Sequence, residues 1–391
     1  MRVAVAGAGA FGKNHLRVYR ELEAAGLGVS LVAAVEPDSS RAADAAAKYA
    51  IPVFATVDKL LAADLHLDAA SVAVPTVHHH ASASALLDAG LDLLVEKPLA
   101  ASLAEADDLI QRADKGKRIL QVGHLERFNP AVLAIQPQLR RPMFFEAHRL
   151  SIFTPRSLDV DVVLDLMIHD LDIVLTFAAS PVREVRAVGL PILSPKVDIA
   201  NVRVEFESGC VANFTASRVS TERVRKLRFF EPRQYVSIDY ARKDLLVIRI
   251  DEGAAKSQAE LVASLPPQIA ALLPPGIAEG IASGKIDLSK IDPAMIAQFA
   301  AMAKIDPSVI AQFISPAESK AGLSFSKPEV TPGEPLRLEI ESFLDSVRTR
   351  REPRVTARQG RNALALALEI QATMAAHAHR AGLDDFFLPG V

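Results

Sequence analysis

The sequence predicts an α/β protein with an N-terminal Rossmann dinucleotide-binding domain. An α+β second domain follows, with a largely antiparallel, open sheet and a proline-rich helical insertion. Three observations support this fold class. A glycine turn, Gly7-Ala8-Gly9-Ala10-Phe11-Gly12, directly follows a short apolar run. Strand-like and helix-like runs then alternate up to Gly123, which indicates βαβ units and a parallel sheet. Beyond Gly123 short strand-like runs predominate, as in antiparallel sheets.

Length and composition limit the number of domains, the possible partners and the compartment of the protein. The chain has 391 residues, of which 50% are apolar and 23% charged, with a net charge of −3. This length fits two domains, predicted at residues 1–123 and 124–391. The small net charge gives no reason to expect a nucleic acid or an anionic membrane as partner. Cys210, the only cysteine, excludes an internal disulfide and fits a reducing compartment. Without a signal-peptide pattern or a bilayer-spanning apolar run, we expect a cytoplasmic location.

The first element is the glycine turn itself. A buried strand is predicted at Arg2–Ala6 and a helix at Lys13–Ala24. The first glycine permits the tight turn, the second lets the backbone approach a pyrophosphate, and the third lets the helix pack against the strand. The helix N-terminus offers unpaired N–H groups to the phosphates. The motif alone is weak, but its strand–turn–helix context favours a dinucleotide site. The predicted contacts there are Gly7, Gly9, Ala10, Phe11 and Gly12.

Glu36 ends the second predicted strand, Val29–Val35, and favours NAD as the dinucleotide. An acidic residue at this place can accept hydrogen bonds from both hydroxyls of the adenosine ribose. Its carboxylate would also repel the 2′-phosphate of NADP. Glu36 lies further from Gly7 than the roughly 20 residues of a compact unit. A solvated glutamate at a strand end is therefore the alternative.

The rest of the first domain alternates helices and strands. Asp38 is expected to cap a helix at Arg41–Tyr49. A further helix is predicted at about His79–Ala89, and another, capped by Ser102, extends to Asp114. Further strands are predicted at Asp68–Val74, Leu91–Val95 and Ile119–Val122. The strand at Leu91–Val95 leads into Glu96-Lys97-Pro98. Open α/β sheets bind ligands at this carboxyl edge.

The second domain is predicted to pack one long helix, Asp159–Ala178, on a sheet. Its strands are expected at Phe144–Leu150, Glu184–Leu190, Ile199–Glu207, Cys210–Ser217, Arg225–Phe230, Tyr235–Tyr240 and Leu245–Ile250. Short strands joined by turns such as Ser208-Gly209 indicate a mostly antiparallel sheet. One helix leaves the other face of the sheet open. That face would suit a homo-oligomer, a dimer or a tetramer.

Residues 251–332 depart from both patterns. They are rich in proline, and Lys290–Phe299 returns 14 residues later as Lys304–Phe313. Each copy carries Asp-Pro, a good helix start, so two short amphipathic helices are predicted. Two interpretations of this segment are open. It is either an insertion that docks a partner or stabilises an oligomer, or a packed insertion with no role of its own. Two helices, Glu334–Arg350 and Arg358–His379, are predicted to close the chain.

Four polar side chains mark the helix at Asp159–Ala178. The spacing of Asp161, Asp165, His169 and Asp172 puts them on one face, and the remaining faces are apolar, which predicts a buried helix. An Asp one turn before a His can position the imidazole and raise its basicity. A structural His–Asp pair would look the same. Because hydride transfer from a carbinol needs a base for the hydroxyl proton, we favour a catalytic role for the pair.

Lys97 is the second candidate for chemistry. At the carboxyl end of a parallel strand, a partly desolvated lysine could hydrogen-bond the reacting hydroxyl and the nicotinamide ribose. A solvated loop lysine paired with Glu96 is equally compatible with the spacing. Pro98 could follow a cis peptide bond, since such bonds occur almost only before proline.

Other histidines and arginines give weaker signals. The triplet at residues 78–80 is a poor metal site because consecutive side chains on one helical turn point in different directions. With no CxxC or HExxH pattern in the chain, no metal is predicted. Four cations lie near the predicted domain junction, where arginine would suit phosphate recognition. Surface salt bridges would explain them equally well. They are His124, Arg127, Arg149 and Arg156.

Four motifs together resemble the glucose–fructose oxidoreductase/inositol dehydrogenase/MocA (Gfo/Idh/MocA) family. They are the glycine turn, Pro75-Thr76-x-x-His79, Glu96-Lys97-Pro98 and Asp165-x-x-x-His169, in the family's order across about residues 1–180. The resemblance implies a catalytic trio in which His169 is the general base, Lys97 orients the hydroxyl and the nicotinamide, and Asp165 tunes the pair. It also implies that Pro75, Thr76, His79, Glu96 and Lys97 contribute to the NAD site.

A finer resemblance, to bacterial UDP-N-acetylglucosamine 3-dehydrogenases, rests on residues 122–130 and 155–170. Those enzymes make the 3-keto sugar that a PLP-dependent aminotransferase converts for diamino-type lipid A. The resemblance implies oxidation of a UDP-sugar at C3, with the diphosphate held by the four junction cations and the sugar by His169. Two features depart from the pattern. Asp161-Val162 replaces a glycine pair that many members carry, and residues 251–332 lie outside the family pattern.

Two alternatives follow from the same residues. The first is a dehydrogenase, using NAD or NADP, of another sugar, an inositol or a UDP-uronic acid. The second is a non-catalytic NAD-binding sensor or scaffold that docks a partner through residues 251–332. Lys97, Asp165 and His169 in one chain favour an enzyme over a sensor.

Overall fold

The structure is a computed structural model that describes residues 1–154, 160–252 and 321–383. The chain divides into two compact units. One holds Met1–Pro232, Val236–Leu246 and Lys327–Val391, and the other holds Arg233–Tyr235 and Val247–Ser326. The repeat predicted at residues 290–313, and with it most of the predicted insertion, lies outside the described residues.

A parallel sheet forms the N-terminal part of the first unit. Its strands are β1 Arg2–Ala6, β2 Ser30–Val35, β3 Val53–Phe54, β4 Ala69–Val72, β5 Asp92–Glu96 and β6 Leu120–Gly123. The order is β3-β2-β1-β4-β5-β6, and neighbouring strands run parallel. This is the doubly wound order of a Rossmann domain. The predicted fold class is confirmed for this part of the chain.

Helices cover both faces of the parallel sheet. The described helices are α1 Gly12–Ala24, α2 Ser39–Tyr49, α3 Val57–Ala62, α4 His79–Asp88, α5 Leu103–Gly116, α6 Pro130–Ile135, α7 Ile168–Ala178, α8 Pro335–Thr349 and α9 Ala357–Arg380. Alternation along β1 sends Val3 to one apolar core and Ala4 to the other. Phe343 of α8 joins the core on the Val3 side, so a helix from the end of the chain completes this face. None of the helices described is long and apolar enough to cross a bilayer.

A mixed sheet forms the next part of the first unit. Its strands are β7 Phe144–Leu150, β8 Val182–Leu190, β9 Ile199–Phe206, β10 Val211–Ser217, β11 Val224–Glu231 and β12 Gln234–Asp239, in the order β12-β11-β7-β10-β9-β8. The β7–β10 pair is parallel, whereas the β7–β11, β9–β10 and β8–β9 pairs are antiparallel. The expectation of a largely antiparallel second sheet is confirmed. In the second unit, β13 (Asp244–Glu252) and β14 (Ala321–Ser326) pair antiparallel from Val247 onward.

The helix predicted at Asp159–Ala178 differs in the structure. Residues 155–159 lie outside the described part, Val163–Met167 forms a π-helical turn, and the α-helix α7 begins only at Ile168. The carboxylate of Asp161 accepts hydrogen bonds from the N–H groups of Val163 and Leu164, at 2.9 and 3.0 Å. Asp161 therefore starts the π turn by satisfying backbone groups that a helix start leaves without partners.

Candidate active site

The glycine turn after β1 has the geometry that a pyrophosphate cradle requires. Gly7 has φ +97°, and a Cβ atom there would lie 2.5 Å from the carbonyl oxygen of Ala73. A Cβ atom on Gly12 would overlap the carbonyl oxygen of Gly7. On Gly9, by contrast, it would meet nothing within 4 Å. The first and third glycines are thus required by packing, and the second leaves the backbone accessible beside the N-terminus of α1. This arrangement fits a dinucleotide phosphate.

Glu36 follows β2 and is tied to the glycine turn. One carboxylate oxygen accepts a hydrogen bond from the N–H of Ala8 at 2.9 Å. The other accepts from the N–H of Asp38 at 3.1 Å and from Arg41 at 2.8 Å. Burial alone would raise the pKa of Glu36, but these hydrogen bonds lower it below its ordinary value. A buried carboxylate that stays charged beside the turn fits an acceptor for the ribose hydroxyls.

A cavity of about 540 Å³ brings most of the predicted site residues together. The predicted residues that line it are Phe11, Pro75, Thr76, His79, Glu96, Lys97, Arg149, Asp165 and His169. Residues that the sequence does not single out as site residues also line it, among them Val74, Leu125, Glu126, Val160, Leu164 and Arg225. Gly7, Gly9, Ala10, Gly12 and Glu36 belong to the turn region described above. Arg156 lies outside the described residues.

Lys97 follows β5 and is held by the π turn. Its ammonium donates hydrogen bonds to the backbone carbonyl oxygens of Asp165, at 2.8 Å, and Leu164, at 3.4 Å. Burial lowers the pKa of Lys97, and the charges of Asp165 and Glu96 oppose this shift. The Lys97–Pro98 peptide bond is cis. The ammonium is therefore fixed at the wall of the cavity by backbone oxygens.

His169 lies in the first turn of α7 and is half-buried at the wall of the cavity. Its Nδ1 atom is buried and has no hydrogen-bond partner among the residues the structure describes. Burial, together with the charges of Lys97 and Arg149, holds the pKa of His169 well below its ordinary value. The imidazole is neutral at neutral pH and can accept a proton.

The four polar residues predicted to share one helix face separate in the structure. Asp165 and His169 line the cavity, whereas Asp161 caps the π turn. Asp172 is buried, and its Oδ1 atom lies 3.4 Å from Nη1 of Arg127. The π turn changes the helical register before His169, and the outer two acids serve structural contacts.

The cations predicted at the domain junction differ in their burial and in their partners. The guanidinium of Arg127 is buried, and it hydrogen-bonds the hydroxyl of Thr176 and, at 3.2 Å, the carbonyl oxygen of Arg354. His124 is 1% exposed, burial lowers its pKa, and its ring nitrogens have no partner within the described part of the chain. The described lining of the cavity includes neither Arg127 nor His124.

Arg149 of β7 lines the cavity, but its charge is already matched. It forms two hydrogen bonds with the carboxylate of Asp170, at 2.7 and 3.0 Å, and a third with Glu126 at 3.1 Å. Its guanidinium also lies 5.2 Å from the ring centroid of Tyr240. Burial of this cation is compensated by two carboxylates, whose charges raise the pKa of Arg149. Arg149 thus stabilises the wall of the cavity.

Two histidines join the loops at the carboxyl edge of the parallel sheet. The ring nitrogens of His79 lie 2.8 Å from the carbonyl oxygen of Pro98 and 2.9 Å from that of Val74. Nε2 of His15 lies 2.9 Å from Oε1 of Glu96. The His15–Glu96 contact was missed because nothing in the sequence pairs residues so far apart. His15 therefore contacts the carboxylate of Glu96, which the sequence offered as a possible partner of Lys97.

The histidine triplet does not converge on one point. His79 faces the loop carbonyls, whereas Nε2 of His80 lies 2.7 Å from a carboxylate oxygen of Asp108 on α5. Among the side chains that the structure describes, no group of three or more His, Cys, Asp or Glu residues is arranged to hold a metal ion.

The parallel sheet, the glycine turn with its acidic partner and the lysine–histidine cavity define an NAD-binding oxidoreductase. Residues 1–124 match the model of the oxidoreductase family with an NAD-binding Rossmann fold, and residues 131–233 match the GFO/IDH/MocA C-terminal domain. A UDP-N-acetylglucosamine 3-dehydrogenase from Acidithiobacillus ferrooxidans is 37% identical over 254 residues, which cover 65% of this chain and 78% of the relative. The chain belongs to the Gfo/Idh/MocA oxidoreductase family.

Further relatives agree with this assignment. An inositol 2-dehydrogenase from Acidothermus cellulolyticus is 31% identical over 196 residues, 48% of this chain and 56% of the relative. A solved structure of the Acidithiobacillus ferrooxidans 3-dehydrogenase superposes with a TM-score of 0.74 at 30% identity, covering 96% of this chain and 98% of that one. A levoglucosan dehydrogenase in complex with NADH, at 15% identity and a TM-score of 0.71, shares the fold over 96% of this chain and 97% of its own.

Proposed function

We propose that this NAD-dependent sugar dehydrogenase oxidises the C3 hydroxyl of UDP-N-acetylglucosamine to the 3-keto nucleotide sugar. The observation that carries the proposal is the convergence of Lys97, Asp165 and His169 on one cavity beside the glycine turn. The nucleotide-sugar substrate is supported by the 37% identity to a dehydrogenase of that name.

His169 is the proton acceptor in this proposal. Because burial and nearby cations keep its pKa low, the imidazole is neutral and can take the proton of the C3 hydroxyl. NAD, when bound, supplies the acceptor for the hydride that leaves C3. The O–H bond therefore breaks toward the imidazole while the C–H electron pair leaves with the hydride, and a carbonyl forms at C3.

Lys97 polarises the oxygen of the same hydroxyl. Two backbone carbonyl oxygens hold its ammonium at the wall of the cavity, and a cation there stabilises negative charge that develops on the substrate oxygen. The charge of Asp165 opposes the lowering of the Lys97 pKa. Asp165 thus keeps Lys97 protonated across a wider pH range.

The product suggests the next reaction. A 3-keto sugar is the substrate that an aminotransferase needs to install a 3-amino group, so a PLP-dependent aminotransferase is the proposed neighbour in a pathway to diamino-type lipid A. Such a pathway would place the enzyme in the cytoplasm, and we propose that it acts there as a homo-oligomer.

Turnover of a substrate panel tests the proposal. The purified protein is given NAD with UDP-N-acetylglucosamine, N-acetylglucosamine, myo-inositol or a UDP-uronic acid, and NADH formation is followed by absorbance. An aminotransferase and its amino donor are included, because oxidation of an alcohol is unfavourable near neutral pH. We expect UDP-N-acetylglucosamine to give the highest kcat/KM. A folded, NAD-binding protein that oxidises only the other compounds would refute the substrate assignment.

One alternative has specific support. The 31% identity to an inositol 2-dehydrogenase favours an inositol or a free sugar as the second candidate substrate. The chemistry assigned to Lys97 and His169 would be unchanged, and the same panel separates the two substrates.

A further inference from the structure

Arg225 stands at an unusual position on β11. In the register of the second sheet it lies directly opposite Arg149 of β7, and residues opposite one another in an antiparallel pair share a face. Further along this face, Leu227 and Phe229 are buried in the core. Alternation therefore predicts an apolar residue at position 225. An arginine stands there instead, is exposed, and lines the cavity that contains His169.

Arg225 also differs from the other cations of the cavity in its partners. Arg149 is matched by the carboxylates of Asp170 and Glu126. The ammonium of Lys97 is held by backbone oxygens and lies within the field of Asp165. Among the residues that the structure describes, no side chain forms a hydrogen bond or an ion pair with the guanidinium of Arg225.

This placement brings Arg225 no compensating ion pair from the described residues. Like charges directly opposite one another on neighbouring strands repel, and Arg225 lies opposite Arg149 in the register, where Asp170 and Glu126 offset the charge of Arg149. Its charge also helps to lower the pKa of His169, after burial and the charges of Lys97, Arg149 and His124. A residue that departs from the pattern of its strand, as Arg225 departs from the apolar alternation of β11, and has no compensating contact is expected at a functional site.

We infer that Arg225 binds a phosphate group of the substrate and so makes the enzyme prefer a nucleotide sugar to a free sugar, an inference that rests on the proposed function. The guanidinium fork matches the geometry of a phosphate and can donate two hydrogen bonds to it. The phosphates of NAD have their own cradle in the glycine turn of the first sheet, whereas Arg225 belongs to the second sheet. Arg127 and Arg149 are engaged by protein groups, whereas the guanidinium of Arg225 is available to a phosphate.

The kinetic test compares three variants with the wild type. Arg225→Gln removes the charge, Arg225→Lys keeps the charge but not the fork, and Arg228→Gln is the matched control on the same strand. Arg228 lies 3.7 Å from Glu146 and is absent from the described lining of the cavity. We expect Arg225→Gln to raise KM for UDP-N-acetylglucosamine by roughly 10- to 100-fold, the effect of losing hydrogen bonds to a charged group. kcat should change much less, Arg225→Lys should be intermediate, and Arg228→Gln should match the wild type.

A binding measurement separates this inference from the proposed function. UDP is titrated into the NAD-loaded protein by calorimetry, with a thermal melt of each variant to verify folding. We expect Arg225→Gln to weaken UDP binding by a factor similar to its effect on KM, and to change kcat/KM for N-acetylglucosamine much less than kcat/KM for UDP-N-acetylglucosamine. Unchanged KM and UDP affinity in Arg225→Gln would overturn the role of Arg225 while the proposed substrate stands. A wild type that neither binds UDP nor oxidises UDP-N-acetylglucosamine would overturn both.

Discussion

The ammonium of Lys97 donates a 2.8 Å hydrogen bond to the backbone carbonyl oxygen of Asp165. Lys97 follows the last residue of β5, and Asp165 lies in the π-helical turn that precedes α7. A π-helical turn departs from the i→i+4 hydrogen-bond pattern of an α-helix, and such turns are frequent at functional sites. The position of the proposed catalytic lysine therefore depends on a backbone feature of the second part of the chain.

Replacing Lys97 by Met should abolish most turnover while the fold and NAD binding persist. The change removes the cation that polarises the substrate oxygen, and we expect kcat to fall by about 10²- to 10⁴-fold. NADH formation measures the loss, and NAD titration measures cofactor binding. Lys115→Met, at an exposed position of α5, is the control and should be fully active. Near-normal kcat in Lys97→Met would show that the lysine is a structural residue.

The kcat/KM of the oxidation should decline at both acid and alkaline pH, and a different residue should cause each decline. The pKa of His169 is held well below 6.5 by burial and neighbouring cations, so kcat/KM should decline only when the pH drops well below that value. Burial lowers the pKa of Lys97 below 10.5, and activity should also decline as the ammonium deprotonates at alkaline pH. If kcat/KM instead begins to decline on the acid side at or above pH 6.5, His169 with a lowered pKa is not the base.

Asp165→Asn tests the electrostatic role of the carboxylate separately from the hydrogen bond. The backbone carbonyl that holds Lys97 remains, but the charge that opposes the lowering of the Lys97 pKa is lost. The alkaline limb of kcat/KM should therefore move to lower pH, and activity below the limb should fall less than in Lys97→Met. If the limb stays in place, Asp165 does not tune Lys97.

Glu36 and Arg41 should set the choice between NAD and NADP. The carboxylate of Glu36 accepts a hydrogen bond from Arg41 at 2.8 Å, and Glu36→Ala removes the repulsion of a 2′-phosphate and frees the guanidinium. We expect the ratio of kcat/KM for NADP to that for NAD to rise by about 10-fold, near 1.4 kcal/mol. The double variant Glu36→Ala/Arg41→Ala should lose most of the gain. A ratio that does not move in Glu36→Ala would exclude this role.

Glu339 of α8 should make stability depend on pH. Its side chain is fully buried, its carboxyl oxygens have no partner among the described residues, and burial raises its pKa well above 4.5. With a folded pKa above the unfolded value, Glu339 favours the folded state while protonated, and this contribution declines as the pH rises above about 4.5.

Glu339→Gln should therefore raise the free energy of unfolding at pH 8 by about 1–3 kcal/mol, since no charge has to be buried. Denaturant unfolding at pH 5 and at pH 8 measures the difference, which should be smaller at the lower pH. Glu341→Gln, at a position paired with Arg337 one turn away, is the control. Equal effects of both substitutions at both pH values would show that the buried carboxyl of Glu339 does not cause the pH dependence.

Local chemistry explains which features could be predicted from the sequence. The glycine turn depends on neighbouring residues, and so do Glu36 at a strand end and the Asp38 cap of α2, whose carboxylate accepts from the N–H of Arg41 at 2.9 Å. Lys97 and His169 were found through motifs whose spacing follows from strand ends and helical turns. Both residues line the same cavity in the structure.

The features that could not be predicted depend on contacts between distant segments. The π turn begins where Asp161 also accepts a hydrogen bond from Gln371 of α9, and an apolar sequence alone does not distinguish π from α geometry. The pairing of Arg149 with Asp170 and Glu126 could not be predicted, because neither partner is its neighbour in sequence. Arg225 was missed because its face is set by the register of β11 against β7.

Transfer of deuterium from C3 shows whether C3 is the carbon that the enzyme oxidises. UDP-N-acetylglucosamine deuterated only at C3 is incubated with the enzyme, NAD and the trapping aminotransferase, and the reduced cofactor is analysed by mass spectrometry. We expect NADH to carry the deuterium, turnover to be slower than with the protiated sugar if hydride transfer limits the rate, and His169→Gln to suppress the transfer. Reduced cofactor without deuterium, formed from the same substrate by the folded enzyme, would contradict oxidation at C3.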